Sequence, residues 1–240
     1  MFRGILSGTL ALSVLTFAAH ADPAANVKAA SKKLTDSANY SWKSTVEGGF
    51  RPGDTTGKTE KDGYTALTIT MGDNTVEAVI KGDQAAVKLE DGWKTVEEAG
   101  GGEPGQPNPG RFVARTVRNF KSPAVQAEEL AGQSKDLAKA DDVYAGALTE
   151  DGAKALLTFG RRGGGGNGNG PEISGAKGSV KFWMDKDGVL SKMEFNVRGS
   201  MSFNGQDRDI NRTTTVEIKD VGATKVEVPS EAKAKMAAVK

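Results

Sequence analysis

The sequence predicts an α+β domain in which one large curved antiparallel sheet is covered on one face by helices. Three observations predict it. Between Asn39 and Thr95, short segments alternate apolar and polar residues and are broken by turn residues at about ten-residue spacing, as in an antiparallel meander. Strand alternation returns between Ser179 and Val228. Helical spacing is confined to the N-terminal stretch and the middle of the chain, so helices gather on the sheet instead of alternating with its strands. Neither strand block has a core of its own, and the two are expected to form one sheet.

Residues 1–21 read as an export signal. Arg3 precedes a largely apolar run from Ile5 to Phe17, too short to span a bilayer comfortably, and Ala19-His20-Ala21 supplies a small-x-small site. Cleavage before Asp22 is expected, which predicts a periplasmic or secreted protein. The remaining chain is expected to form a single domain over 22–229 followed by a polar tail, 230–240.

Pro23 to Ala38 has the spacing of an amphipathic helix, with Val27, Ala30 and Leu34 on one stripe and lysines opposite. The period then changes to two. Tyr40, Trp42, Val46 and Phe50 fall on one face of a strand whose other face carries Ser41, Lys43, Thr45 and Glu47. Asp62-Gly63, Gly72-Asp73-Asn74, Gly82-Asp83 and Asp91-Gly92 punctuate the strands that follow. On these, Leu67, Ile69 and Met71 share a face, as do Val76, Ala78 and Ile80, then Ala85, Val87 and Leu89.

Gly100 to Gly110 reads as a flexible loop. Ser122-Pro123 is a helix start, a polar cap followed by proline, and a weak stripe of Ala127, Leu130, Ser134 and Leu137 extends that helix through Lys139. Thr149 caps a second short helix carrying Ala153, Leu156 and Leu157. Residues 161–171, RRGGGGNGNGP, form a second flexible loop. Ser179 to Asp185 is a strand, and Lys186-Asp187-Gly188 turns it into a longer one, Val189 to Phe203. There Val189, Met193, Phe195, Val197, Met201 and Phe203 point one way. Asn204-Gly205 turns the chain again into a strand with Ile210, Thr214, Val216 and Ile218 on alternate positions. Val226 and Val228 suggest a short edge segment, and the tail from Ser230 a frayed helix.

Composition narrows the chemistry. The chain has no cysteine, and its one histidine, His20, lies in the signal segment. Ser-His-Asp and Cys-His systems are thereby excluded, as are zinc sites with nitrogen or sulfur ligands. Asp22 stands where an acyl-anchored lipoprotein carries cysteine, so an unanchored protein is expected. Leaving out Arg3, 31 basic residues face 31 acidic ones, and this balance offers nucleic acid no basic field. No second apolar run reaches membrane-span length, so an integral membrane protein is not expected.

Carboxylate hydrolysis needs only paired acids. Glu97-Glu98, Glu128-Glu129 and Asp141-Asp142 are adjacent doublets that read as solvated positions. Ser230-Glu231-Ala232-Lys233 matches S-x-x-K but lies in the tail and lacks the S-D-N and K-T-G partners. The glycine run lacks the Gly-Lys-Ser/Thr of a phosphate loop, and it places Gly170 where a calcium repeat needs aspartate. No catalytic residue, no metal site and no cofactor are expected, and the protein reads as a non-enzyme. Trp42, Trp93 and Trp183, with Met71, Met193 and Met201, fall mostly on apolar strand faces, as core or as the adaptable wall of a groove.

The order of elements resembles the LolA-like lipoprotein-carrier superfamily, including LppX/LprG-type lipid-binding lipoproteins. The likeness is carried by the N-terminal helix followed by Tyr40-Ser41-Trp42 and by DDVYAGALTEDGAKALL. It is carried further by KFWMDKDGVLSKMEFNVRG and by a last strand ending VEIKDVGATKVEVPSEA. It implies a half-open β-barrel whose concave face is covered by helices, and a hollow that holds lipid or lipoprotein acyl chains for carriage across the periplasm. The inward strand faces then offer Trp42, Val46, Leu67, Ile69, Met71, Trp183, Met193, Phe195 and Met201 as candidate ligand-binding residues. The alternative is a non-enzymatic envelope module that binds a protein or polysaccharide, its hollow filled by its own side chains. A carboxylate-dependent hydrolase is the third reading.

Overall fold

The computed structural model describes residues 22–49, 53–101, 109–158, 172–203 and 206–238. Residues 1–21, where an export signal is expected, Phe50, residues 102–108 of the first glycine-rich run, the whole of the second (161–171) and Asn204-Gly205, where a turn is expected, lie outside the described residues.

In chain order the elements are α1 (Pro23–Asp36), β1 (Asn39–Gly48), β2 (Gly53–Glu60), β3 (Thr65–Met71), β4 (Asn74–Lys81), β5 (Gln84–Leu89) and β6 (Gly92–Thr95). The helices α2 (Val96–Gly100), α3 (Pro109–Arg118) and α4 (Pro123–Gly132) follow, then β7 (Ser134–Ala140), β8 (Val143–Leu148) and α5 (Glu150–Leu157). Three strands, β9 (Glu172–Met184), β10 (Leu190–Phe203) and β11 (Gln206–Lys219), and the helix α6 (Ser230–Ala237) complete the chain.

The fold is α+β, as the sequence predicts. All the strands belong to one curved, unclosed antiparallel sheet of eleven, in the order β6-β5-β4-β3-β2-β1-β11-β10-β9-β8-β7. The two strand blocks meet at β1 and β11, where Trp42 pairs with Ile218 and Val46 with Thr214. The turns between β2 and β6 fall at the Gly/Asp/Asn clusters, and Gly72 and Gly82 adopt the left-handed φ that such turns require.

One face of the sheet is closed by α1 to α5. Along α1, Val27, Ala30 and Leu34 are buried, and Asp22 caps the helix through the Ala24 amide (3.0 Å). The helix packs on α4, β10 and β7. Each fully buried Leu or Val in this layer removes apolar surface worth about 1.5–3 kcal/mol. Phe182, Leu190, Met193, Phe195, Val197 and Val216 face the helices from the sheet and are almost wholly buried.

Four local readings are corrected. The helix begun at Ser122-Pro123 stops at Gly132, and Ser134–Ala140 is strand β7. Leu137 is the one large apolar residue in that stretch, too little to hold a helix on the core, and pairing with β8 satisfies its backbone instead. Pro109–Arg118 is a helix although Gly100–Gly110 reads as loop: Val113, Ala114 and Val117 form a buried stripe just beyond the proline. On β10, Leu190 and not Val189 takes the fully buried position. The β9 register slips between Leu190 and Lys192, where Ser191 is the extra residue, and that bulge turns Leu190 inward. Val226 and Val228 form no strand. Val228 instead packs on a small second core with Val79, Ala86, Trp93, Ala232 and Met236.

That second core lies on the opposite face. Val79, Ala86 and Trp93 alternate with the inward Ala78 and Val87, so α6 covers the convex side of β5 and β6. Residues 230–237 are thus a docked helix, held also by Lys235 Nζ donating to Glu98 Oε1 at 3.1 Å.

A cavity between the concave sheet face and the α3–α4 corner

The inward face of the sheet centre is built by a cross-strand row. Val87, Ala78, Leu67, Gly57, Trp42 and Ile218 are successive partners from β5 to β11. Gly57 is the gap in that row. A Cβ there would sit 2.3 Å from Trp42 Cε2 and Cζ2, so the indole lies directly over the glycine. Trp42 Nε1 donates to Thr59 Oγ1 at 3.3 Å, and Thr65 Oγ1 donates to the same oxygen at 3.3 Å. On its other side the indole meets Phe120, with ring centroids 5.7 Å apart and planes inclined by 16°.

Phe120 belongs to the corner between α3 and α4. This corner is fixed at both ends: Asn119 Nδ2 donates to the Arg115 carbonyl (2.9 Å), and Ser122 caps α4 through the Val125 amide (3.4 Å). Tyr40 reaches the same place from β1. Its phenol is pushed above the ordinary tyrosine range by burial, against the opposing pull of hydrogen bonds with Ser122, Thr59 and the Ala124 backbone.

Between this corner and the sheet lies a cavity of about 240 Å³. Trp42, Leu67, Ile69, Phe120, Pro123 and Val216 supply its apolar wall. Ser44, Thr55, Thr116, Asn119, Lys121 and Gln126 supply the polar one. A second hollow, of about 310 Å³, lies on the convex face, with Ser41, Lys43, Thr56, Lys58, Ala66 and Lys219 around it. Sheet residues alone line that hollow, whereas the concave cavity is walled by sheet and helices together.

The structure brings together three of the nine residues proposed from sequence. Trp42, Leu67 and Ile69 line the concave cavity. Val46 shares the face of Trp42 on β1 and is half-buried, and Met71 extends the row of Leu67 and Ile69 to the end of β3. Met193 and Phe195 face inward beneath the helices as filled core, and Met201 is half-buried against that core. Trp183 points the other way. Phe182 takes the inward position, and the Trp183 ring carries Lys192 Nζ at 4.9 Å on the convex face. Strand alternation separates the two neighbours, and the apolar pair Phe182-Trp183 does not reveal which one is inside.

Phe120, Val216, Thr116 and Gln126 were not singled out as ligand-lining residues. Val216 was legible as an inward strand residue. Phe120 gave no such signal, because its partner Trp42 is remote in sequence and the chain meets it only when the α3–α4 corner folds over β1.

Arg212 is a further inward group, paired across the sheet with Val197 and Gly48. Its Nη2 donates to the Leu156 carbonyl at 2.7 Å, which satisfies the C-terminal end of α5, and burial pushes the guanidinium pKa down. Among the described residues no group of acidic or imidazole side chains is placed to hold a metal ion. No described helix is long and apolar enough to cross a membrane.

No family model and no curated protein matches the sequence. Solved structures do. The chain resembles LppX. That lipoprotein, from Mycobacterium tuberculosis, is 11% identical, and the match covers 86% of this chain and 98% of LppX with a TM-score of 0.48. LprF from Mycobacterium bovis is 13% identical over 88% of this chain and 97% of LprF, with a TM-score of 0.44. LppX is one of the proteins whose type the sequence likeness named.

Proposed function

We propose that this protein binds lipid or the acyl chain of a lipoprotein in the concave cavity and carries it outside the cytoplasm. One observation carries the reading: a cavity with one apolar and one polar wall opens between the sheet and the α3–α4 corner, beside the buried core. Each methylene buried there contributes about 0.8 kcal/mol, so an acyl segment binds without any catalytic or metal-binding group. The balanced charge and the sequence likeness to lipoprotein carriers support the same reading. So does the export signal expected over residues 1–21.

Native mass spectrometry of the purified chain tests it, together with titration of a fluorescent fatty acid. A copurifying amphiphile, or saturable binding abolished by filling the cavity with Thr55→Trp, is the expected result. Absence of both overturns the proposal. A second reading has its own observation. Met193, Phe195 and Val197 fill the concave face of β10 beneath α1 and α5, as expected of an envelope interaction module whose hollow is occupied by its own side chains. Such a module would bind a protein or polysaccharide partner and no lipid.

A further inference from the structure

The polar wall of the cavity specifies the head group of its ligand, an inference that rests on the concave cavity being the binding site. Lys121 is the one ionisable side chain among the described lining residues, and its ammonium is already paired with the Glu129 carboxylate on α4. The pair is partly exposed, with side-chain exposures of 42% and 39%, and so sits at the rim. An anionic head group would meet no uncompensated cation there, and Glu129 would repel it.

The neighbouring groups point the same way. Thr116 Oγ1 already donates its proton to the Phe112 carbonyl (3.0 Å), and Asn119 Nδ2 donates to the Arg115 carbonyl (2.9 Å). The lone pairs of Thr116 Oγ1 and the Asn119 amide oxygen are thus acceptors beside the cavity, while the second N–H of Asn119 and the Gln126 amide add donors. A hydroxylated head can use both, donating to the acceptors and accepting from the amide N–H groups, whereas a carboxylate can only accept. Ser44 and Thr55 across the cavity accept or donate as required.

Size limits the apolar part. A cavity of about 150 Å³ holds a benzene ring, so about 240 Å³ has room for one chain segment and not for two side by side. We infer that the cavity takes a single-chain amphiphile with an uncharged, hydroxylated head, and that the Lys121–Glu129 pair sets the preference against anionic ones.

Isothermal titration of the full chain with dodecanoate and with its glycerol monoester, at mildly alkaline pH and below micelle formation, tests this. The monoester is expected to bind about tenfold more tightly, the scale of one hydrogen bond made or lost. Glu129→Gln releases Lys121 and should tighten dodecanoate about tenfold while leaving the monoester unchanged. Adding Lys121→Gln to Glu129→Gln should remove that gain. Equal or tighter binding of dodecanoate by the unaltered protein, or no response to Glu129→Gln, overturns the inference and leaves the lipid-binding proposal standing. Binding of neither amphiphile overturns both.

Discussion

Trp42 lies between Gly57 and Phe120. The sheet beneath it leaves out a side chain, and the α3–α4 corner above it supplies a ring at 5.7 Å. The indole thereby joins two layers that are far apart in sequence, and it forms the shared wall of the cavity. A tryptophan flat on a glycine is held by shape from below and by the offset stack from above.

Gly57→Ala should displace the indole, because the new methyl would overlap Cε2 and Cζ2. A destabilisation of about 1–3 kcal/mol is expected from this overpacking. Urea unfolding measures it. In the Trp42→Leu background the same substitution should cost markedly less, and equal costs in both backgrounds would show that the contact is unimportant.

Phe120→Ala should lower stability by about 1–2 kcal/mol, since the ring is half-buried and its stacking adds to the burial. A double-mutant cycle with Trp42→Ala should return a coupling of about 0.5–1.5 kcal/mol. Additive losses would mean that the two rings merely lie close together.

Met236→Ala should cost about 2 kcal/mol by opening the small core between α6 and the convex face. Ligand binding at the concave cavity should be unchanged, because α6 lies on the other side of the sheet. Parallel measurement of the urea midpoint and of fluorescent fatty-acid affinity distinguishes the two effects.

Trp183→Ala should lower stability by about 1–2 kcal/mol, since the half-buried ring also carries Lys192, and should leave ligand binding untouched. A large loss of affinity would place the ligand on the convex face.

Acid should weaken the fold. A hydrogen bond from Lys43 holds the Asp54 carboxyl below its usual range, and the Thr95 amide, followed by Lys235, does the same for Glu98. A carboxyl whose folded pKa is depressed stabilises the fold at all pH values above its unfolded pKa, and that contribution disappears as pH falls through the folded value. Urea midpoints should thus be level near neutrality and fall below roughly pH 4. Glu98→Gln should flatten part of that slope, and a slope unchanged by it would remove Glu98 from the account.

Much of this architecture was legible in the chain. Period-two runs separated by Gly/Asp/Asn turns define β3 to β6, because such residues permit the tight turns of a meander and few others do. Ser122-Pro123 and Thr149 marked helix starts correctly, since an N-cap is a local event. β2 was illegible. GDTTGKTE is polar on both faces and is a strand because β1 and β3 satisfy its backbone on either side. β7 likewise owes its state to β8.

By itself, the sequence determined the class of the fold, the meander and the inward face that carries Trp42, Leu67 and Ile69, for these depend on periodicity and turn chemistry that neighbours in the chain enforce. Only the tertiary structure decided what stands above that face. Whether a buried face is filled, as at Met193 and Phe195, or left hollow, as beside Trp42, depends on which helix the folded chain lays over it. The same holds for Leu190, which one bulge at Ser191 turns inward in place of Val189, and a bulge is a property of the paired strands together; Trp183 faces outward because its neighbour Phe182 pairs with the buried Met193.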